Sequence, residues 1–304
     1  MAVLAVLRPF DFGTPVTLPP PPDGDEEEVG NGTLQAGGVL AKLSWGLYSV
    51  AGDVRPHNED CAGAYAPTIP DDAWERPPLF LVADGLGGHA AGEVASRLAT
   101  EAVLKSWTDA PVAKPQQSLR QAVRAANVAV YDAALEQGRR GMGTTLTVLA
   151  LAGTEASVAH AGDSRAYLLR DDECTQLTND HSRAAEMVRM KLITPEQASH
   201  HPAKSMLTRS LGAEPSVQVD VVHSDIRRND RFVLCSDGMW DVVARSDLLS
   251  VCDRAGTPAE AAEALVNLAV KRGTADNVTA VVVQVKSDRP IPGAGARRSL
   301  FRRR

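Results

Sequence analysis

Five aspartates stand where strand-like segments begin or end. Asp84 follows the apolar run PLFLVA and precedes Gly85, and Asp237 follows RFVLCS and precedes Gly238. Asp163 follows ASVAHAG, Asp60 closes the turn-like HNED before another strand-like stretch, and Asp276 comes just before NVTAVVVQV. Small or turn-forming neighbours let backbones approach closely at such places. A lone Asp–Gly pair is most often only a turn, because Asp bonds its own backbone there. The set is different. Apolar strands that end in acids would collect negative charge if they shared one sheet edge. That is unfavourable unless a cation joins them or some carboxyls keep their protons.

Hard divalent cations with oxygen ligands are the natural partners of such a cluster. Mg²⁺ and Mn²⁺ keep several waters and take only a few carboxylates each. No Cys/His grouping has zinc spacing. Arg55, five residues before Asp60, supplies the complementary charge. A guanidinium beside a metal cluster suits a phosphate, which it grips with two hydrogen bonds; a surface salt bridge is the plainer alternative.

The elements that must position these groups can be read from periodicity. Strand-like sequence opens with LSWGLYSVAG, CAGAYA and PLFLVADG. Two helical patterns follow, with Val94, Leu98, Ala102 and Leu104 near one face of the first, and Leu119, Val123, Ala126 and Val130 on the second. Strands resume at TTLTVLALA, ASVAHAGD, SRAYLLR, VQVDVV and RFVLCSDG. Thr257, Pro258 and Glu260 form a helix start, as N-cap, first-turn proline and closing member of a capping box. Gly273 is a natural end for that helix. The final NVTAVVVQV is apolar along nearly its whole length, which implies a strand covered on both faces. Strands in runs, with helices arriving in pairs, imply an α+β fold of two packed antiparallel sheets flanked by pairs of helices, an α-β-β-α sandwich.

The chain has 304 residues, of which 44% are apolar, so a sizeable core can be buried. With a formal net charge of -6 and 4% aromatics, it has neither a general attraction for nucleic acid or anionic membrane nor base-stacking platforms. Cys61, Cys174, Cys235 and Cys252 are scattered and read as reduced thiols of a cytoplasmic protein. No apolar run reaches the roughly 20 residues of a membrane span. Residues 1–39, with Pro19 to Pro22 and an acidic run from Asp23 to Glu28, read as a disordered leader; residues 287–304 read as a basic disordered tail. Between them lies one domain, residues 40–286.

The motifs GDVRPHNED (52–60), ADGLGGHAAGE (83–93), MGTT (142–145), AGDSR (161–165), LTNDHS (177–182), LTRSLG (207–212), SDGMWD (236–241) and DNVT (276–279) occur in one order. In that order the chain resembles the bacterial form of the PPM-type, protein phosphatase 2C-like serine/threonine phosphatases. The resemblance spans nearly all of residues 46–283. It implies metal-dependent hydrolysis of phosphoserine and phosphothreonine in proteins, opposing Ser/Thr kinases, with two Mn²⁺ or Mg²⁺ ions and a third, weaker one. It implies that Asp60 and Asp84 bridge two ions, that the Gly85 carbonyl binds one of them, and that Asp237 and Asp276 complete the other's shell. Glu59 would orient a metal-bound water, Arg55 would hold the substrate phosphate, and Asp163 with Asp241 would bind the third ion. Residues 181–207 would form a flap beside the site, and Thr144 and Thr145 would pack near it.

The animal enzymes carry a histidine after the Asp–Gly pair as a proposed general acid; here that position is Leu86. His89 is the nearest candidate, with a positioning or helix-start role as the alternative. The expected reaction is in-line attack by a metal-activated water, without a covalent phosphoenzyme. Expected partners are phosphorylated proteins, kinases and their substrates; the expected state is a monomer without nucleic acid or membrane. Two rivals remain: a non-catalytic binding module on the same fold, against which the intact acid set speaks, and a regulator dedicated to one phosphoprotein.

Overall fold

The computed structural model describes residues 33–40, 42–66, 76–87, 90–109, 114–136 and 139–291. Among them the apolar runs pair into two antiparallel sheets. One sheet contains, in spatial order, β1 (Leu34–Val39), β2 (Leu43–Val50), β12 (Val278–Val285), β11 (Arg231–Cys235), β8 (Arg165–Arg170) and β9 (Glu173–Gln176). The other runs β10 (Asp220–Asp225), β7 (Glu155–Ala161), β6 (Leu146–Ala152), β4 (Leu79–Leu86) and β3 (Asp60–Tyr65), with the short β5 (Gly143–Thr144) against β4. Helices α1 (Ala90–Asp109) and α2 (Pro115–Ala134) cover the outer face of this second sheet. Helices α6 (Arg245–Arg254) and α7 (Pro258–Lys271) cover the first.

The fully apolar strands make sense in these four layers. Along β6, Leu146, Val148 and Ala150 pack toward α1 and α2, whereas Leu149 and Leu151 point between the sheets. Along β12, Val281, Val283 and Val285 enter the inter-sheet core, and Val278, Ala280 and Val282 lie under α7. Nearly every position of such a strand leaves water, which is why the period-2 alternation of a half-exposed strand is missing. Trp45 and Phe80 meet in the inter-sheet core with ring centroids 5.7 Å apart.

The helix patterns hold with adjustments. In α2, Leu119, Val123, Ala126 and Val130 are all buried as expected. In α1 Leu104 is buried as expected, but the rest of the fully buried face is Ala95, Ala99, Val103 and Trp107, one residue round from Val94, Leu98 and Ala102, which are only partly buried. Thr257 caps α7 by accepting from Glu260 N–H at 3.2 Å. The Glu260 carboxylate reaches past the cap to Gly256 N–H at 2.8 Å, so the expected capping box is not closed on Thr257. Gly273 follows the helix with φ +79, the left-handed conformation that glycine adopts without penalty.

Both domain limits lie further out than expected. Leu34–Val39, placed by sequence in the leader, is a strand paired in register with Val50's own strand, from Leu34 opposite Ser49 to Val39 opposite Ser44. Ile291, placed in the tail, bridges Gly153 and is 2% exposed. The rest of the leader, with its proline and acidic runs, and the tail from residue 292 lie outside the described residues. Residues 181–207 form an excursion carrying α3 (Arg183–Arg189) and α4 (Pro195–Ser199), closed at its base by a bridge between Ser182 and Leu207. Among the described residues, no helix is long and apolar enough to cross a membrane.

Candidate active site

The acids gather because strands from both sheets end together. Antiparallel pairing sets Asp60 of β3 directly opposite Asp84 of β4. From the other sheet, β11 runs out into Ser236 and then Asp237, the first residue of the single-turn helix α5 (Asp237–Trp240). Next to it, Asp276 and Asn277 lead into β12. Asp163 follows β7 through Gly162, whose φ of +115 turns the chain back.

Hydrogen bonds fix these groups individually. Asp60 Oδ2 accepts from Ser236 Oγ at 2.6 Å and from Thr279 Oγ1 at 2.7 Å, so a carboxylate of one sheet is held by two hydroxyls of the other. The main chain of Asp84 is clamped: its carbonyl accepts from Thr145 N–H and Thr144 Oγ1, each at 2.9 Å, and its N–H donates to Thr145 Oγ1 at 2.9 Å. Asn277 holds the turn before β3, donating to the carbonyls of Ala51 and His57 and accepting from Glu59 N–H at 2.8 Å. Gly85 N–H donates to the Glu59 carbonyl at 3.1 Å, and a Cβ on Gly85 would collide with the carbonyl oxygens of Gly92 and Glu59. The Glu59 carboxylate lies directly over Gly92, where a Cβ would likewise displace it.

Burial, with repulsion between neighbours, raises the carboxyls of Asp60, Asp84, Asp163 and Asp237 above the usual carboxylate range. For Asp60 and Asp84 the charges that add to burial include Asp237 and Asp276; for Asp163 they include Asp237; for Asp237 they are Asp276 and Asp241. Five acids from five strand ends therefore share one electrostatic environment. A cluster of that kind either holds protons or holds cations. Its donor set is all oxygen, which suits Mg²⁺ or Mn²⁺ and not zinc. Among the described residues no three His, Cys, Asp or Glu side chains converge closely enough to hold an ion alone. An ion here would thus complete its shell with water and main-chain carbonyls, the mode such ions favour.

Two predicted residues are already engaged. Arg55 Nη2 pairs with Asp276 Oδ2 at 2.8 Å, and its Nε donates to the Ala275 carbonyl at 3.3 Å. It stands at the acid cluster, half exposed, but on a carboxylate. Asp241 faces Lys204 of the 181–207 excursion, whose Nζ lies 2.6 Å from its Oδ2. Asp163 meets the cluster on the side of Asp237. His89 lies outside the described residues.

A framework unassigned from sequence secures the Asp163 turn. Trp240 Nε1 donates to the Asp163 carbonyl at 3.0 Å. The Arg165 guanidinium stacks 3.6 Å from the centre of the Trp240 ring and binds both oxygens of Asp180, at 3.0 Å and 2.6 Å. On the other side, His181 N–H donates to the Gly162 carbonyl at 2.7 Å, and Gly162 N–H donates to His181 Nδ1 at 3.1 Å. Ser236, Thr279, Trp240, Arg165, Asp180 and His181 all sit inside the quoted motifs. Their motif membership was the available signal; which partner each holds was not.

The sequence matches the family Protein phosphatase 2C over residues 51–278. It is 40% identical over 248 residues to the serine/threonine protein phosphatase PstP of Mycobacterium tuberculosis, covering 81% of this chain and 46% of that protein. The chain thus spans about half the length of this relative. It is 34% identical over 239 residues to the serine/threonine phosphatase stp of Listeria innocua, covering 77% of this chain and 92% of that one. A crystal structure of the PstP catalytic domain with two manganese ions superposes with a TM-score of 0.69 at 39% identity, covering 81% of this chain and 99% of the other.

Proposed function

Because the chain belongs to the protein phosphatase 2C family, we propose that it hydrolyses phosphoserine and phosphothreonine in proteins, in opposition to Ser/Thr kinases. The observation that carries this reading is the acid cluster itself: Asp60 opposite Asp84, held by Ser236 and Thr279 of the other sheet, beside Asp237 and Asp276. Manganese bound to PstP, at 39% identity, supports the choice of metal.

Asp60, Asp84 and the Gly85 carbonyl, with Asp237 and Asp276, would hold two Mn²⁺ or Mg²⁺ ions; Asp163 and Asp241 would hold a third. Such ions supply a water made acidic enough to ionise near neutral pH, and neutralise charge on phosphoryl oxygens. The chain's own part is positional. Ser236 and Thr279 keep the Asp60 carboxylate in one orientation. Thr144 and Thr145 keep Asp84 and Gly85 in register. Glu59, packed on Gly92, would hold water at the edge of the cluster. Arg55 would leave Asp276 for the substrate phosphate and would grip two of its oxygens. A side chain that protonates the leaving hydroxyl is not identified among the described residues.

The test is hydrolysis of a phosphothreonine peptide with and without Mn²⁺, beside Asp237→Asn. Activity that requires Mn²⁺ and collapses in the variant supports the reading. A folded protein inactive with every divalent metal would overturn it in favour of a binding module.

A further inference from the structure

Among the described residues, strand β10 is the outer strand of its sheet, bonded to β7 on one side only. Its free edge offers backbone donors and acceptors to another extended chain. Alongside lies a groove of about 480 Å³, lined by Val217 to Val222 and by Arg120 and Arg124 of α2. Arg120 Nη1 donates to the Val219 carbonyl at 3.1 Å, which holds its guanidinium over the strand. Arg124, one helical turn further, is exposed and has no ion-pair partner among the described residues.

The one acid lining the groove, Asp220, is committed elsewhere. Its carboxylate oxygens take Arg209 Nη1 at 2.9 Å and His181 Nε2 at 3.1 Å. The groove therefore presents uncompensated positive charge beside unpaired strand edge. Its position is also specific. Asp220 pairs with His160 at the end of β7 that leads into Asp163, and His181 joins Asp220 to Gly162. One end of the groove is thus joined, through Asp220 and His181, to the turn that carries Asp163.

From this geometry we infer that the groove seats an acidic, extended stretch of the phosphoprotein substrate, so that phosphosites flanked by Asp and Glu are preferred. The inference rests on the phosphatase reading above. Main-chain bonds to β10 would give affinity, and substrate carboxylates on Arg120 and Arg124 would give selectivity. Six strand positions at about 3.3 Å each accommodate roughly five or six substrate residues.

Two measurements on the full chain test it. In the first, a fluorescein-labelled Glu-rich peptide without phosphate is titrated with protein and followed by anisotropy. Binding should weaken about tenfold in Arg124→Glu, fade at about 0.5 M salt, and be absent for the same peptide with Gln in place of Glu. No binding, or equal binding by the wild type and Arg124→Glu, overturns the inference. In the second, kcat and KM are compared for phosphothreonine peptides with Glu or Gln flanks. A wild-type preference for Glu flanks carried by KM, and lost in the double variant Arg120→Gln, Arg124→Gln, supports it; an unchanged ratio overturns it. If neither phosphopeptide nor a small aryl phosphate is hydrolysed with Mn²⁺, the phosphatase reading fails. The anisotropy result then still decides the groove, since binding that Arg124→Glu abolishes supports an acidic-peptide site and its absence removes one.

Discussion

Ser236 Oγ donates to Asp60 Oδ2 at 2.6 Å across the seam between the two sheets. Both residues are buried, so the bond is charge-assisted and shielded from water, worth about 1.5–3 kcal/mol. Thr279 adds a second donor to the same oxygen at 2.7 Å. Ser236→Ala should leave the fold intact and lower Mn²⁺ affinity roughly tenfold, because groups that orient a ligand contribute on that scale. The double variant with Thr279→Val should lower it further. Calorimetric titration with Mn²⁺ measures both; unchanged affinity in the double variant would mean that the orientation of Asp60 is set by something else.

Asp84 is expected to cost stability when no metal is bound. It is buried and its carboxyl is raised by burial first and then by Asp237, Asp60, Asp163 and Asp276. Replacing a crowded buried carboxylate with an amide of the same shape removes repulsion. Asp84→Asn should therefore melt a few degrees higher than the wild type in chelator. Adding Mn²⁺ should raise the wild-type melting temperature by mass action and leave the variant nearly unmoved. Differential scanning fluorimetry with and without metal reads both signs at once.

His160 provides a pH dependence away from the acid cluster. Its ring is fully buried, with Nδ1 at 2.9 Å from Thr147 Oγ1 and Nε2 at 3.2 Å from the Asn179 carbonyl, and it stacks on His181 at 4.8 Å. Burial, reinforced by the His181 imidazole and opposed by the Asn179 carbonyl and Asp220, pushes it down to about 3. The unfolded chain binds this proton near pH 6.5 and the folded chain does not. The contribution is thus fully present above pH 6.5 and is lost as pH falls toward 3. Between pH 6.5 and 5 the loss is up to about 2 kcal/mol. His160→Gln should be less stable at pH 7 and show a shallower decline on acidification; parallel urea curves for both proteins would remove His160 as the cause.

Arg165 binds Asp180 with two bonds and lies flat on Trp240. Arg165→Met would leave the largely buried Asp180 without its counter-ion, at a cost of about 2–4 kcal/mol. Arg165→Lys should recover little of this, because an ammonium neither forks onto a carboxylate nor stacks on an indole in the same way. Urea unfolding of the two variants tests the point, and near-wild-type stability of the lysine variant would count against the stacked, bidentate account.

What was legible in the sequence was what strand chemistry makes local. The acids next to small residues at the ends of apolar runs mark Asp60, Asp84, Asp163, Asp237 and Asp276, and the unbroken apolar stretch of β12 announces a strand covered on both faces. What joins distant segments was not legible. Nothing local says that Ser236 and Thr279 aim at Asp60, residues 176 and 219 positions away. Nor does it say that Arg55 spends its guanidinium on Asp276. The strand Leu34–Val39 gives no such signal, because it adjoins the proline and acidic runs and its glycines hide the pattern; Gly37 lies against Ala259 and the Trp45 carbonyl, where a side chain would crowd.

Lys204 carries the last prediction. Its ammonium, on the excursion between Ser182 and Leu207, sits 2.6 Å from Asp241 Oδ2, so a cation recruited by that carboxylate must displace it. Both side chains are more than a third exposed or nearly so, at 39% and 34%, and the pair is worth no more than about 1 kcal/mol. Lys204→Ala should therefore raise the apparent affinity of the weakest Mn²⁺ site, but by no more than about fivefold. Removing the tether should also speed proteolysis within residues 183–206, since the excursion is then held chiefly at its base. Asp241→Asn should speed proteolysis equally while abolishing the weakest site. If Lys204→Ala changes neither Mn²⁺ stoichiometry by electron paramagnetic resonance nor the cleavage rate, the contact does not restrain the excursion and Asp241 does not compete for a metal through it.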